Sequence, residues 1–340
     1  MKSQSSAQRS LAYRSIPARK ETADPHRQRV YDSIVDLIAN PDNPTPMVKL
    51  SERYNAAADF DIFIKLEAFN PFGSIKDRTA LYLLRGTPLA EGQVLAEPTA
   101  GNTGIALAAL ANAQGTPIEL AVPAATPEEK KVLLRFLGAE LLEVEDDLCP
   151  LFPTEGARGV IKSMVESAAF KGKYVSPNQY ENELNVEAHY RTTGPEIWNQ
   201  TGGDIDYFFA AFGTCGTITG VGRYLKERNP DIQIIGIEPA SRDHNLSGIK
   251  KITDLPDEFK PKILDYSLID DIIAVEDRDA YEASIHLART EGIMVGPTTG
   301  ALLHAARQTG VRASGRAVVI SPDDATKYIS AYAQYLEKEQ

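Results

Sequence analysis

Along most of its length this chain alternates short apolar, strand-like runs with stretches of helical spacing, and that alternation limits the fold more than any single motif. The strand-like runs fall at 62–66, 94–97, 118–122, 140–144, 174–176, 207–212, 232–237, 272–275 and 317–320, after a shorter one at 47–50. Between them lie helical stretches such as 127–137, 160–169, 185–199 and 279–290. Strands this rich in Val, Ile, Leu and Phe, separated by helices, belong in parallel sheets covered on both faces. Ligands in such folds sit beyond the carboxyl ends of the strands, so the loops there are where function is expected. A further helical stretch at 30–38 places Val30, Ile34, Leu37 and Ile38 on one face before Pro41, Pro44 and Pro46 break the chain.

With 340 residues, two substantial cores are expected. The formal net charge is -11 and no basic stripe occurs, which argues against a nucleic-acid partner. No run approaches the roughly 20 apolar residues of a membrane span, so no membrane association is expected. Two cysteines, Cys149 and Cys215, fit a reducing compartment and a cytoplasmic protein, with one disulfide as the alternative. The first residues, to about Arg29, are rich in Ser, Arg and Lys without an apolar segment. They read as an arm rather than a secretory signal.

Three loops carry the chemistry. Asn70-Pro71-Phe72-Gly73-Ser74-Ile75-Lys76-Asp77-Arg78 passes from a strand into a helix that continues to Leu84, with Lys76 near the helix N-terminus. The helix dipole and neighbouring cations would lower its ammonium pKa, giving an amine able to bind a carbonyl and act as a base. A solvated lysine beside a loop is the plainer alternative. Thr99-Ala100-Gly101-Asn102-Thr103-Gly104 and Gly213-Thr214-Cys215-Gly216-Thr217 each follow a strand and open a helix. Small-residue loops of this kind cradle anions with backbone N–H groups.

Taken together and in this order, the motifs resemble the fold type II pyridoxal-phosphate enzymes, in the branch of cysteine synthase (O-acetylserine sulfhydrylase) and cystathionine β-synthase. The resemblance runs from about Pro44 to about Tyr332. It implies a tryptophan synthase β-like α/β fold, two parallel-sheet lobes with pyridoxal 5'-phosphate in the cleft between them. The smaller, substrate-binding lobe would span 71–183, the larger, cofactor-binding lobe 44–70 and 184–340, and residues 1–43 an arm and first helix. A homodimer is implied.

By this resemblance Lys76 is the Schiff-base lysine and the base for the Cα proton. Asn102 meets the ring 3'-oxygen, and Gly213, Thr214, Cys215, Gly216 and Thr217 hold the phosphate. Thr298, in Gly296-Pro297-Thr298-Thr299-Gly300, meets the pyridine nitrogen. A neutral hydroxyl there leaves the ring a weaker electron sink, which suits β-elimination; a carboxylate from Asp323 or Asp324 reaching the nitrogen would reverse that. Thr99, Ala100, Gly101, Asn102, Thr103 and Gln179 match the segments that bind the substrate carboxylate. Asn102 and Thr298 also read as helix caps, and Gln179 as a surface amide.

Two departures stand out. Glycine is usual where Cys215 stands, and Cys215 reads as a small buried side chain without a catalytic role. Serine is frequent where Ala100 stands. Gly248-Ile249-Lys250-Lys251 matches a loop at the mouth of the site that carries two basic residues in the B-type sulfhydrylase. Lys250 and Lys251 would attract an anionic reactant or, equally, lie solvated. The function implied is β-replacement on O-acetylserine or O-phosphoserine by a small nucleophile, sulfide or thiosulfate, giving L-cysteine or S-sulfocysteine. Alternatives are a β-synthase using homocysteine, cyanide or an amine, and a desulfhydrase or dehydratase.

Overall fold

The computed structural model describes residues 30–337 except 58, 100, 125 and 146–155. The amino-terminal arm up to residue 29, Ala100 and Cys149 lie outside the described residues.

Ten strands make two sheets. The first contains β1 (Met47–Lys49), β2 (Phe60–Leu66), β7 (Tyr207–Ala211), β8 (Gln233–Pro239), β9 (Asp271–Val275) and β10 (Gly315–Ser321), in the order β1-β2-β10-β7-β8-β9. Only β1 runs antiparallel to its neighbour in this sheet. The second contains β3 (Val94–Pro98), β4 (Ile118–Pro123), β5 (Glu140–Val144) and β6 (Tyr174–Val175), in the order β5-β4-β3-β6, all parallel. The helices are α1 (Lys76–Arg85), α2 (Asn102–Ala113), α3 (Glu128–Phe136), α4 (Gly156–Glu166), α5 (Leu184–Ala188), α6 (Gly194–Thr201), α7 (Gly216–Lys226), α8 (Asp277–Glu291), α9 (Pro297–Gly310) and α10 (Ile329–Glu337).

Side-chain alternation explains why the four-stranded sheet is covered twice. Leu95, Leu120 and Val122 join α1 and α2 in one core, while Val94, Ala96 and Ala121 face Ala157 and Ile161 of α4 in another. The larger core forms on the six-stranded sheet, where Ile62, Phe209, Ile235 and Val319 are almost wholly buried in one cluster with Val221, Leu302 and Leu303. Each such side chain contributes about 1.5–3 kcal/mol of burial.

Strand order turns outward at two points. The carboxyl ends of β7 and β10, adjacent in the first sheet, face those of β3 and β6, adjacent in the second, and the three loops meet there.

Two expectations need correction. The 30–38 stretch is not an α-helix: only a 3-10 turn forms, Ile34–Leu37, capped by the Ser33 hydroxyl. Val30 and Ile34 are exposed whereas Ile38 is buried, so the expected face is not the one that packs. So short a segment does not repay helix nucleation. The 185–199 stretch is divided into α5, a π turn (His189–Thr193) and α6. Pro195 falls in the first turn of α6 and has no N–H to continue a single ladder.

A wholly buried ion network fixes α1 to the six-stranded sheet. Arg78 of α1 makes a two-pronged contact with Glu67, at 2.7 and 3.0 Å, and also grips Glu196 of α6. Lys65 of β2 donates to the same Glu196 carboxylate at 2.7 Å.

Candidate active site

Lys76 is the first residue of α1, and its side chain enters the cleft. The turn before it is pinned from two sides. Ile75 N–H donates to Pro322 O at 2.9 Å, and Asp77 accepts from the Phe72 N–H at 2.6 Å and from the Ser74 hydroxyl at 3.2 Å. Gly73 adopts φ +77, a backbone state open to glycine, and its carbonyl accepts from Lys327 Nζ at 2.8 Å. Lys76 Nζ lies 3.5 Å from the Thr214 hydroxyl. Its pKa is pushed down to about 8, as expected, but for another reason. Burial does it, while Cys215 and Asp323 oppose the shift, so neighbouring cations are not the cause.

The loop from Gly213 to Thr217 closes the other side. It leads from β7 into α7, so the first N–H groups of that helix face the cleft. A side chain at Gly213 would meet Gly248 O at 2.7 Å, and one at Gly216 would strike the Asn185 amide. Asn185 Nδ2 also donates to Thr214 Oγ1 at 2.9 Å and to Gln179 O at 2.8 Å. Cys215 stands at φ 70, left-handed backbone that glycine adopts without penalty. Its thiol is buried and its pKa raised to about 12, so it is neutral and unreactive.

The loop before α2 lies opposite. Thr99 Oγ1 accepts from the Gly101 and Gly104 N–H groups at 3.2 and 3.1 Å, leaving those of Asn102 and Thr103 at the helix end. Thr103 Oγ1 donates to Gln179 Oε1 at 2.7 Å, so Gln179 is a buried cleft residue rather than a surface amide. Asn102 Oδ1 accepts from Lys327 Nζ at 3.1 Å.

Thr298, in the first turn of α9, is buried and donates to Ser247 O at 3.2 Å. Asp323 lines the cleft, whereas Asp324 caps the turn after it through the Thr326 N–H at 2.8 Å. The adjacent lysines part company. Lys250 lines the cleft, with its ammonium 5.2 Å from the centre of the Tyr180 ring. Lys251 does not line it, but pairs with the buried Glu238 at 2.5 Å.

Other residues of this region carry no motif. Glu97, at the end of β3, accepts from the Ser176 hydroxyl at 2.8 Å and the Asn178 and Gln179 N–H groups at 3.1 and 3.0 Å. It thereby joins the two loops that flank the α2 end; burial raises its pKa to about 7. His189 stands behind Thr217 and Thr79, 3.3 and 3.2 Å from their hydroxyls, its imidazole kept neutral chiefly by burial. Lys130 of α3 is 1 % exposed and also lines the cleft. Its one sequence signal is helical spacing from the buried Leu134, four residues on.

The chemistry of this donor set suits pyridoxal phosphate. A helix-end cradle that added side chains would block stands beside a buried amine of lowered pKa. Opposite it lies a second helix end with spare N–H groups. This is the arrangement of an enzyme that holds its cofactor covalently and binds an amino acid beside it.

Comparison with known proteins places the chain. Residues 38–323 match the family model described as pyridoxal-phosphate dependent enzyme. The chain belongs to that family and uses pyridoxal phosphate. It is 40 % identical over 321 residues to a cysteine synthase of Aquifex aeolicus, covering 91 % of this chain and 94 % of that one. It is 38 % identical over 292 residues to cysteine synthase B of Escherichia coli, covering 84 % and 92 %. Among solved structures, cysteine synthase from Entamoeba histolytica superposes with a TM-score of 0.78 at 29 % identity, over 92 % of this chain and 93 % of that one.

Proposed function

We propose that the protein is a cysteine synthase acting by β-replacement on an O-activated L-serine, O-acetylserine or O-phosphoserine, with sulfide or thiosulfate as the nucleophile. The Cβ–O bond of the donor breaks, releasing acetate or phosphate, and a Cβ–S bond forms, giving L-cysteine or S-sulfocysteine. The observation that carries this reading is the meeting of the Lys76 amine and the Thr214 hydroxyl, 3.5 Å apart in one cleft.

Pyridoxal phosphate, when bound, supplies the carbonyl that captures amines and the conjugated ring that accepts charge from Cα. Lys76 would hold it, the Gly213–Thr217 backbone and the Thr214 and Thr217 hydroxyls would take the phosphate, Asn102 the 3'-oxygen and Thr298 the pyridine nitrogen. Thr99, Gly101, Asn102, Thr103 and Gln179 would receive the donor's carboxylate. A pKa near 8 lets Lys76 Nζ lose its proton near neutral pH and take one from Cα. Lys250, inside the cleft, favours an anionic reactant; Lys251, paired with Glu238, supports stability instead.

The two sheets support a smaller lobe at 71–183 and a larger one formed by 44–70 and 184–340. Among the described residues no helix is long and apolar enough to cross a membrane. A cytoplasmic homodimer is the form inferred.

The test is a donor panel of O-acetylserine, O-phosphoserine and serine against sulfide and thiosulfate. Cysteine or S-sulfocysteine formation with an activated donor is expected, and none in Lys76→Ala. Release of pyruvate alone, with no sulfur-containing product from any pair, would overturn the reading in favour of a lyase.

A further inference from the structure

We propose that Lys130 is a substrate-recognition residue whose ammonium binds the α-carboxylate of the amino-acid donor. The inference rests on the cleft being an amino-acid site, as argued above.

An ammonium has three N–H donors. Lys130 Nζ gives one to the Ser247 hydroxyl at 3.1 Å and stands 4.1 Å from the centre of the Tyr328 ring. Among the described residues no carboxylate forms an ion pair with it, although its side chain is almost wholly buried. Burial prevails and lowers the Lys130 pKa to about 8, although Asp323, in the same cleft, attracts this ammonium without forming an ion pair; Lys327 opposes that attraction. A bound anion would relieve the remaining cost.

Its position selects the anion. The Lys130 stem lies against Gly101, where an added Cβ would come within 3.0 Å of its Cδ and 3.5 Å of its Nζ. Gly101 immediately precedes α2, whose Asn102 and Thr103 N–H groups remain after Thr99 has taken that of Gly104. A carboxylate received at that helix end comes into reach of Lys130. The cofactor's phosphate has its own helix end at Gly216, and the mouth of the cleft has Lys250. Ala100 also brings no hydroxyl to the loop. A cation from α3 fills that lack.

The test measures binding to the cofactor-loaded protein by the change in its visible absorbance, using L-methionine and its carboxamide, which keeps the α-amine but lacks the carboxylate. Lys130→Met keeps the apolar stem against Gly101 and Tyr328. It should weaken methionine binding about 10- to 100-fold, the range of a charge-assisted hydrogen bond, and leave the amide nearly unaffected. Lys130→Arg should retain most of the preference for the carboxylate. Equal losses for both ligands, or an unchanged ratio, would overturn the proposal. So would a loss confined to O-phosphoserine relative to O-acetylserine, which would assign Lys130 to the β-substituent. If Lys130→Met does not fold, Lys130→Gln decides by the same ratio. A wild-type protein whose spectrum answers neither ligand would count against the amino-acid site itself, a failure distinct from an unchanged ratio in the variants.

Discussion

Across the cleft the Asn102 amide donates to Asp323 Oδ2 at 2.6 Å, tying the start of α2 to the turn after β10. Lys327 donates to the opposite end of the same amide, so its orientation is set by two charged neighbours. One Nδ2 hydrogen is thereby committed and the other is left for a ligand. Asp323 Oδ2 also accepts from the Tyr328 hydroxyl at 2.5 Å, while its Oδ1 is buried without a partner. Asp323→Ala should therefore loosen Asn102 and leave Tyr328 unpaired. A loss of about 1.5–3 kcal/mol in cofactor affinity is expected, hydrogen bonds to a charged group having that range. Titrating the apoprotein with pyridoxal phosphate measures it; unchanged affinity would mean that Asn102 is held well enough by Lys327 alone.

The lowered pKa of Lys76 makes a kinetic prediction with a definite sign. Below about 8 the amine is protonated and cannot attack a carbonyl; above it the neutral form dominates. The rate at which apoprotein captures pyridoxal phosphate should rise with pH and level off above about 8. An ordinary lysine would keep gaining up to about 10.4. Stopped-flow absorbance between pH 6 and pH 10 distinguishes the two. In Lys76→Ala the covalent absorbance should vanish and turnover fall by more than the roughly 10²–10⁴-fold due to general-base action alone.

Cys215 provides a test of backbone strain. An L-residue in the left-handed region costs about 1–2 kcal/mol, a penalty that glycine avoids. Both Cys215→Gly and Cys215→Ala delete the thiol, but only Ala retains the strain. The Gly variant should be more stable than the Ala variant by about 1 kcal/mol in urea unfolding, with cofactor still bound in each. The reverse order would show that packing, not backbone geometry, decides this position.

The ion network predicts a large effect away from the chemistry. Glu196→Ala leaves Arg78 and Lys65, both wholly buried, short of a counter-ion. Breaking one side of such a network costs about 3–5 kcal/mol. The urea midpoint should fall accordingly; a midpoint within error of wild type would mean that water or a rearranged Glu67 compensates.

Much of this architecture was legible because the strands obey a simple rule. β5 occupies the residues expected of it, and the other strands shift only at their ends, since apolar runs between turns can hardly go elsewhere. The loops were legible through their combination and order, since each alone also read as a solvated lysine or a helix cap. What stayed hidden depends on direction rather than composition. Lys130 sits in Glu128-Glu129-Lys130-Lys131, which reads as a solvated charge run until its spacing from Leu134 is weighed. Lys250 and Lys251 look equivalent in sequence, yet neighbours on non-helical backbone point apart, one to the cleft and one to Glu238. Pro195 was visible, but its power to divide a helix whose apolar spacing continues past it was not.

The segment around Lys76 belongs to both halves of the molecule at once. Ile75 is hydrogen-bonded to Pro322 at the end of the six-stranded sheet, and Arg78 is locked to Glu67 and Glu196 on the same side. Yet Ala80, Leu81 and Leu84, one turn further along, pack in the core shared with α2 and the four-stranded sheet. A swing of one body against the other would therefore displace this segment little, because it is bonded to one body and packed in the other. The amine would hold its place relative to the Thr214 loop while the Thr99 loop travelled toward it.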